Sequence, residues 1–203
     1  MNRTLLMLAT LIATTGAPAA SAQQPDAATI ARQVCASCHG PAGQSVSSAF
    51  PRLAGQQPQY VAVQLQAFRD RKRGDPMAQA YMWGMASQLD DAAIQSLAAY
   101  YARQKPMHGP APDPALAEKG KAIFDNGVPA DGVAACAGCH GKNGEGNSGF
   151  PRLAGQHAEY LVKQLSLFKS ELRAGAQAPL MHDVTMRLSF DQMTQVAAYL
   201  AGK

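Results

Sequence analysis

Cys35-Ala-Ser-Cys38-His39 and Cys136-Ala-Gly-Cys139-His140 share one spacing, and their four cysteines are the only ones in the 203-residue chain. Two thiols three positions apart on one helical turn can form thioethers to the two vinyl groups of a single porphyrin. The histidine that follows then lies under the metal. Cys-x-x-Cys-His is the spacing of c-type haem attachment. Two copies predict two covalently attached haem c groups, held through Cys35, Cys38, Cys136 and Cys139, with His39 and His140 as iron ligands.

Two other chemistries use similar cysteines. A zinc module brings its paired Cys-x-x-Cys elements within about 15 to 20 residues of each other, whereas most of a domain separates these. A redox dithiol also uses Cys-x-x-Cys. Neither chemistry explains a histidine immediately after both pairs.

The sixth iron ligand separates a carrier from a catalyst. Iron held by His and Met is closed to substrates, whereas an open position admits oxygen or peroxide. An internal repeat selects among the methionines. Aligning Leu89 with Leu188 places Met82 on Met181, Met85 on Val184 and Met186 on Ser87, while Met77 falls near Ala176. Met82 and Met181 are thus the pair matched in both copies and are the expected axial ligands. His182, directly after Met181, is a competing ligand in the second copy.

The same repeat defines the elements that must position these groups. Phe50-Pro-Arg-Leu-Ala-Gly-Gln56 recurs letter for letter at 150–156, and Tyr60, Gln64, Leu65 and Phe68 answer to Tyr160, Gln164, Leu165 and Phe168. This is a duplicated domain, with copies over 23–105 and 115–203. The proline-rich segment 106–114 cannot be helical and is expected to be an extended linker with little apolar burial. Each copy reads as three helices in an all-α fold. The first runs from Asp26 into the motif, or from Pro114; the second covers Pro58 to Arg69, or His157 to Leu172. The third starts at Asp90, or at Ser189 with Gln192 in a capping box. Ile94, Leu97 and Tyr100, and likewise Met193, Val196 and Tyr199, form its buried stripe. Domains this small bury only somewhat more than about 60% of their surface, so a haem would complete each core.

The N-terminus reads as an export signal over 1–22: Asn2-Arg3-Thr4, an apolar run from Leu5 to Thr15, and the small-x-small site Ala20-Ser21-Ala22. That run is too short to span a bilayer comfortably, and no later stretch is long and uncharged enough. The expected location is the bacterial periplasm. There, free thiols would be oxidised unless occupied, as haem would occupy them. With 18 Lys+Arg against 14 Asp+Glu the formal charge is +4, opposed by the propionates of two haems, which argues against a nucleic-acid partner. Arg69, Arg71, Lys72 and Arg73, interrupted by Asp70, form the one basic cluster, a solvated helix end or a docking patch. Arg52 and Arg152 are candidates to pair with propionates. His108 and His157 are not repeated and read as solvated, and Trp83 either covers a haem edge or fills an interface.

With these motifs together, the chain resembles the dihaem cytochrome c4 family of tandem class I cytochrome c domains over essentially all of its mature length. The resemblance implies a periplasmic electron carrier between a quinol-oxidising complex and a terminal oxidase, sometimes loosely associated with the membrane. It implies haems close together at the domain interface with propionates facing, and the Pro51 and Pro151 carbonyls as acceptors for the proximal histidines. The sequence departs from the family pattern at His182-Asp183, where the first copy has Trp83-Gly84. An enzyme, either a dihaem peroxidase or the cytochrome subunit of a dehydrogenase, is the alternative. No distal His-Arg pair supports the peroxidase.

Overall fold

The computed structural model describes residues 26–110, 112–175 and 177–203; the expected export signal lies outside them. Among the described residues there are helices and two isolated bridges, Val128 with Val133 and Asn147 with Phe150, but no strand. The all-α architecture expected from the repeat is therefore what forms.

In the first half a motif helix starts where Asp26 caps it, its carboxylate accepting from the Ala28 and Thr29 amides. It continues through a π-helical segment, Ala31–Cys35, into Ala36–His39. A middle helix, Pro58–Arg69, and a closing helix, Asp91–Ala102, complete the expected set. Ile94 and Leu97 are buried as their spacing predicts, but Tyr101 is buried in place of Tyr100, which is only half-buried. Tyr101 sits with Ala31 and Leu97 against Cys35, so the third-helix stripe is shifted one residue towards the motif.

The second half differs at its start. Pro114–Asn126, capped by Asp113, does not run into the motif. It stops at Gly127, whose φ of 70° suits a residue without a Cβ. The chain then passes through the Val128–Val133 bridge before the one-turn helix Ala137–His140. The middle helix, Ala158–Lys169, ends three residues before Leu172, and the closing helix, Phe190–Ala201, has the Ser189/Gln192 capping box. Ile123, Phe124, Leu161, Val196, Ala197, Tyr199 and Leu200 make its core.

Each half has a further helix where a loop was expected. Met82 lies at the end of a π segment, Ala78–Met82, that continues as Trp83–Ala86, and Met181 lies inside Ala178–Met186. Proline and glycine just upstream hid both from a periodicity reading.

The described residues between Lys105 and Pro114 form no helix or strand, but the segment is not bare. Gln44 donates to the Lys105 carbonyl and the Gly109 amide donates to Ala201 at 3.0 Å. Pro106 lies against Gly55, Met107 against Gly155 and Pro112 against Gly202, so the segment is laid across both halves.

Candidate haem sites and the interface between them

His39 and His140 are held alike. Nδ1 of His39 donates to the Pro51 carbonyl at 2.9 Å, and Nδ1 of His140 to the Pro151 carbonyl at 3.0 Å. The edge of Phe50 or Phe150 meets each ring, at centroid separations of 6.2 and 6.1 Å. Both imidazoles are buried, and that burial pushes their pKa down, partly offset by the bond to the proline carbonyl. With Nδ1 protonated and bonded to the carbonyl, Nε2 is the nitrogen left available to a metal.

The repeated heptapeptide is what builds this arrangement. The amides of Leu53 and Ala54 bond to the Gly43 carbonyl, and those of Leu153 and Ala154 to Gly144. Gly55 and Gly155, at φ of 68° and 71°, then turn the chain so that their amides reach Tyr101 and Leu200 on the closing helices. With the Phe50 and Phe150 amides also bonded to the Ser47 and Asn147 carbonyls, the segment is pinned at both ends and presents its proline carbonyl to the histidine.

The methionine helices are tied to the same aromatic residues. In the first half Tyr81, the residue before Met82, stacks edge-on to Phe50 at 5.7 Å, and Phe50 in turn meets His39. Met82 is half-buried against Phe68, Ala78 and Ala86. In the second half Gln177 donates to the Gly149 carbonyl, tying the start of the Met181 helix beside Phe150. Trp83 Nε1 donates to the Arg73 carbonyl at 2.8 Å, and His182 Nε2 donates to the Arg173 carbonyl at 3.1 Å. The Trp83-to-His182 difference is thus a substitution within a single device, and His182 Nε2 is engaged by a backbone carbonyl.

The donor set fits haem c better than its rivals. Among the described residues no group of three or more His, Cys, Asp or Glu converges as a metal site, which removes the zinc reading. All four cysteines are free of disulfides. Burial raises the Cys35 thiol above its usual range and the Cys136 thiol to about 11. A disulfide-exchange thiol needs the opposite shift. Arg152 Nε is buried without a hydrogen-bond partner, an orphan suited to a carboxylate. Arg52 instead donates to the Ser45 and Gly155 carbonyls, so it serves the interface more than a propionate.

The remaining repeated polar residues, which sequence reasoning left without a role, join the halves. Gln56 donates to the Arg152 carbonyl and accepts from the Arg152 amide, while Gln156 does the same with Arg52. Behind them, Arg73 bonds Gln64, Gln164 and the carboxylate of Asp75, and Arg173 bonds Gln164, Gln64 and the Tyr60 hydroxyl. Arg73, at 6% exposure, therefore does not belong to the solvated basic cluster. Arg69, Arg71 and Lys72 do remain near the surface, where Arg69 pairs with Asp70 and Asp91 and Arg71 lies over Trp83. The signal for the interface was present in the repeat, because polar residues identical in both copies must meet something common to both.

The model of the Cytochrome c family matches residues 25–103 and again 117–202. Cytochrome c4 of Azotobacter vinelandii is 38% identical over 100% of this chain and 99% of its own. A solved cytochrome c4 of Acidithiobacillus ferrooxidans is 41% identical, with a TM-score of 0.77 over 83% of this chain and 98% of that one. The chain belongs to the dihaem cytochrome c4 family. It is an electron-transfer cytochrome and carries two covalently bound haem c groups. A relative named thiosulfate dehydrogenase electron acceptor, from Thiomonas intermedia, is 39% identical over 99% of this chain and 91% of its own. No helix among the described residues is long and apolar enough to cross a membrane.

Proposed function

We propose that this cytochrome is a periplasmic carrier of single electrons between respiratory-chain components, passing them towards a terminal oxidase, with one haem in each half. Cys35 and Cys38 attach the first haem and Cys136 and Cys139 the second. His39 and His140 are the proximal ligands, and Met82 and Met181 the distal ones. The haem iron supplies a one-electron ferric/ferrous couple. The protein's own groups do the rest. The proline carbonyls fix the orientation of each imidazole and leave Nε2 unprotonated, and the Met82 and Met181 sulfurs would hold the iron against water and peroxide.

The observation that carries this reading is the equivalence of the two histidine sites, which match within 0.1 Å in both the hydrogen bond and the ring contact. A dihaem peroxidase needs one iron unlike the other, whereas these surroundings are duplicated. The test is to titrate the oxidised protein with cyanide and peroxide while following its absorption. A carrier keeps its spectrum over minutes and takes up two electrons per chain from a reductant. Rapid cyanide binding or peroxide turnover would overturn the reading.

A second reading keeps the chemistry and changes the donor: a dehydrogenase acting on an inorganic sulfur compound reduces this chain directly. The relative named thiosulfate dehydrogenase electron acceptor favours it. Stopped-flow reduction by such a dehydrogenase, compared with reduction by a quinol-oxidising complex, separates the two donors.

A further inference from the structure

The peptide group between Pro51 and Arg52 is engaged at both ends. Its carbonyl accepts from Nδ1 of His39, in its own half, and its N–H donates to Oε1 of Gln156, in the other half, at 2.9 Å. The peptide between Pro151 and Arg152 repeats this, its carbonyl on His140 and its N–H on Oε1 of Gln56 at 2.6 Å. Each glutamine is oriented without ambiguity. Its Oε1 also takes the amide of the next residue, Gln57 or His157, and its Nε2 donates to the Arg152 or Arg52 carbonyl. Gln56 and Gln156 are 7% and 6% exposed, so these bonds form away from water.

Hydrogen bonds through one amide reinforce one another. An acceptor on the N–H draws negative charge towards the carbonyl oxygen, which then accepts more strongly from the imidazole. The ring becomes more electron-rich at Nε2, and an electron-rich ligand favours ferric over ferrous iron. We propose that Gln156 sets the reduction potential of the first haem and Gln56 that of the second, each acting from the opposite half through this single peptide. Both are positioning residues. The proposal rests on His39 and His140 being the proximal ligands. It makes the potentials depend on how the halves are docked, since separating them removes both acceptors together.

The experiment uses the full-length dihaem protein with Gln156→Met and, separately, Gln56→Met, changes that keep buried volume while removing the amide. Each potential is measured by redox titration followed by NMR, the haems being assigned through their contacts to Cys35 and Cys136. Gln156→Met should raise the first potential, favouring the reduced form about two- to tenfold at fixed applied potential, tenfold being 59 mV for one electron. The second should stay still. Gln56→Met should do the reverse. Gln156→Glu, which keeps an oxygen acceptor on the Arg52 amide and adds negative charge, should lower the first potential and serves if the methionine variant folds poorly. Equal shifts of both haems, as undocking would give, a shift confined to the mutated half, or no shift would each overturn the proposal. In the wild type, nitrogen-15 spectra should show the His39 and His140 rings displaced by the paramagnetic iron. Undisplaced rings would overturn the ligation reading itself and the proposal with it, whereas displaced rings with unmoved potentials would overturn the proposal alone.

Discussion

The two halves reach the same histidine geometry by different routes. In the first, one continuous helix with a π segment carries Asp26 to His39. In the second, the helix breaks at Gly127, and a bridged loop intervenes before Ala137–His140. The bond from each histidine to its proline carbonyl is nevertheless 2.9 or 3.0 Å. The geometry is therefore set from the carbonyl side, by the heptapeptide that is identical in both halves, and the entry to the motif is free to vary. The methionine side shows the same economy. Trp83 and His182 differ in every respect except a ring N–H, and each donates it to the carbonyl of the matching arginine.

The largest test of this equivalence is to remove one attachment site at a time. Cys136→Ser with Cys139→Ser should lower the mass by one haem and roughly halve the Soret absorbance per chain, while Cys35→Ser with Cys38→Ser should do the same to the other half. If either double variant lost both haems, the halves would not be separate sites.

Opening one axial position should come next. Met82→Ala should let only the first haem bind cyanide, and Met181→Ala only the second, because His182 is tied to Arg173 and does not take the vacated position. A spectrum of bis-histidine type in Met181→Ala would show that His182 breaks that bond to reach iron.

The buried arginines should then separate the halves energetically. Asp75 is 1% exposed and pairs with Arg73 at 2.8 Å, whereas Gly175 occupies the matching position opposite Arg173. Arg73→Met strands a buried carboxylate and should cost about 3–5 kcal/mol in denaturant unfolding. Arg173→Met strands only neutral acceptors and should cost about 1–3 kcal/mol. Equal costs would mean that Asp75 finds another partner.

Met85→Ala should have the smallest effect. At 57% exposure its side chain has little to lose, so the change should stay within about 0.5 kcal/mol and leave both irons coordinated.

The attachment motifs, the duplication, three helices of each half and the caps Asp26, Asp90 and Ser189 were legible in the sequence because each is local: a spacing, a period or a capping residue. Three features were not. The methionine helices follow Gly74-Asp75-Pro76 and the run around Gly175, where local signals favour a turn, and tertiary contacts decide the matter instead, with Phe68 and Phe50 in the first half and Phe168 in the second. The stripe of the closing helix moved from Tyr100 to Tyr101 because Tyr101 fills space against Cys35, a contact 66 residues away in sequence that no helical period encodes. Arg73 looked like one charge in a basic run. Its burial depends on Gln164 in the other half, so only the docked pair of domains reveals it.

The central claim is one His/Met iron per half, with Met82 and Met181 as the thioether ligands. It is tested most directly by NMR of the reduced protein labelled at its methionine methyl groups. Two methyl resonances should lie far upfield, displaced by the porphyrin ring currents. One should disappear in Met82→Ala and the other in Met181→Ala. A single upfield methyl, or upfield methyls that survive these substitutions and vanish in variants of Met77, Met85 or Met186, would contradict the account.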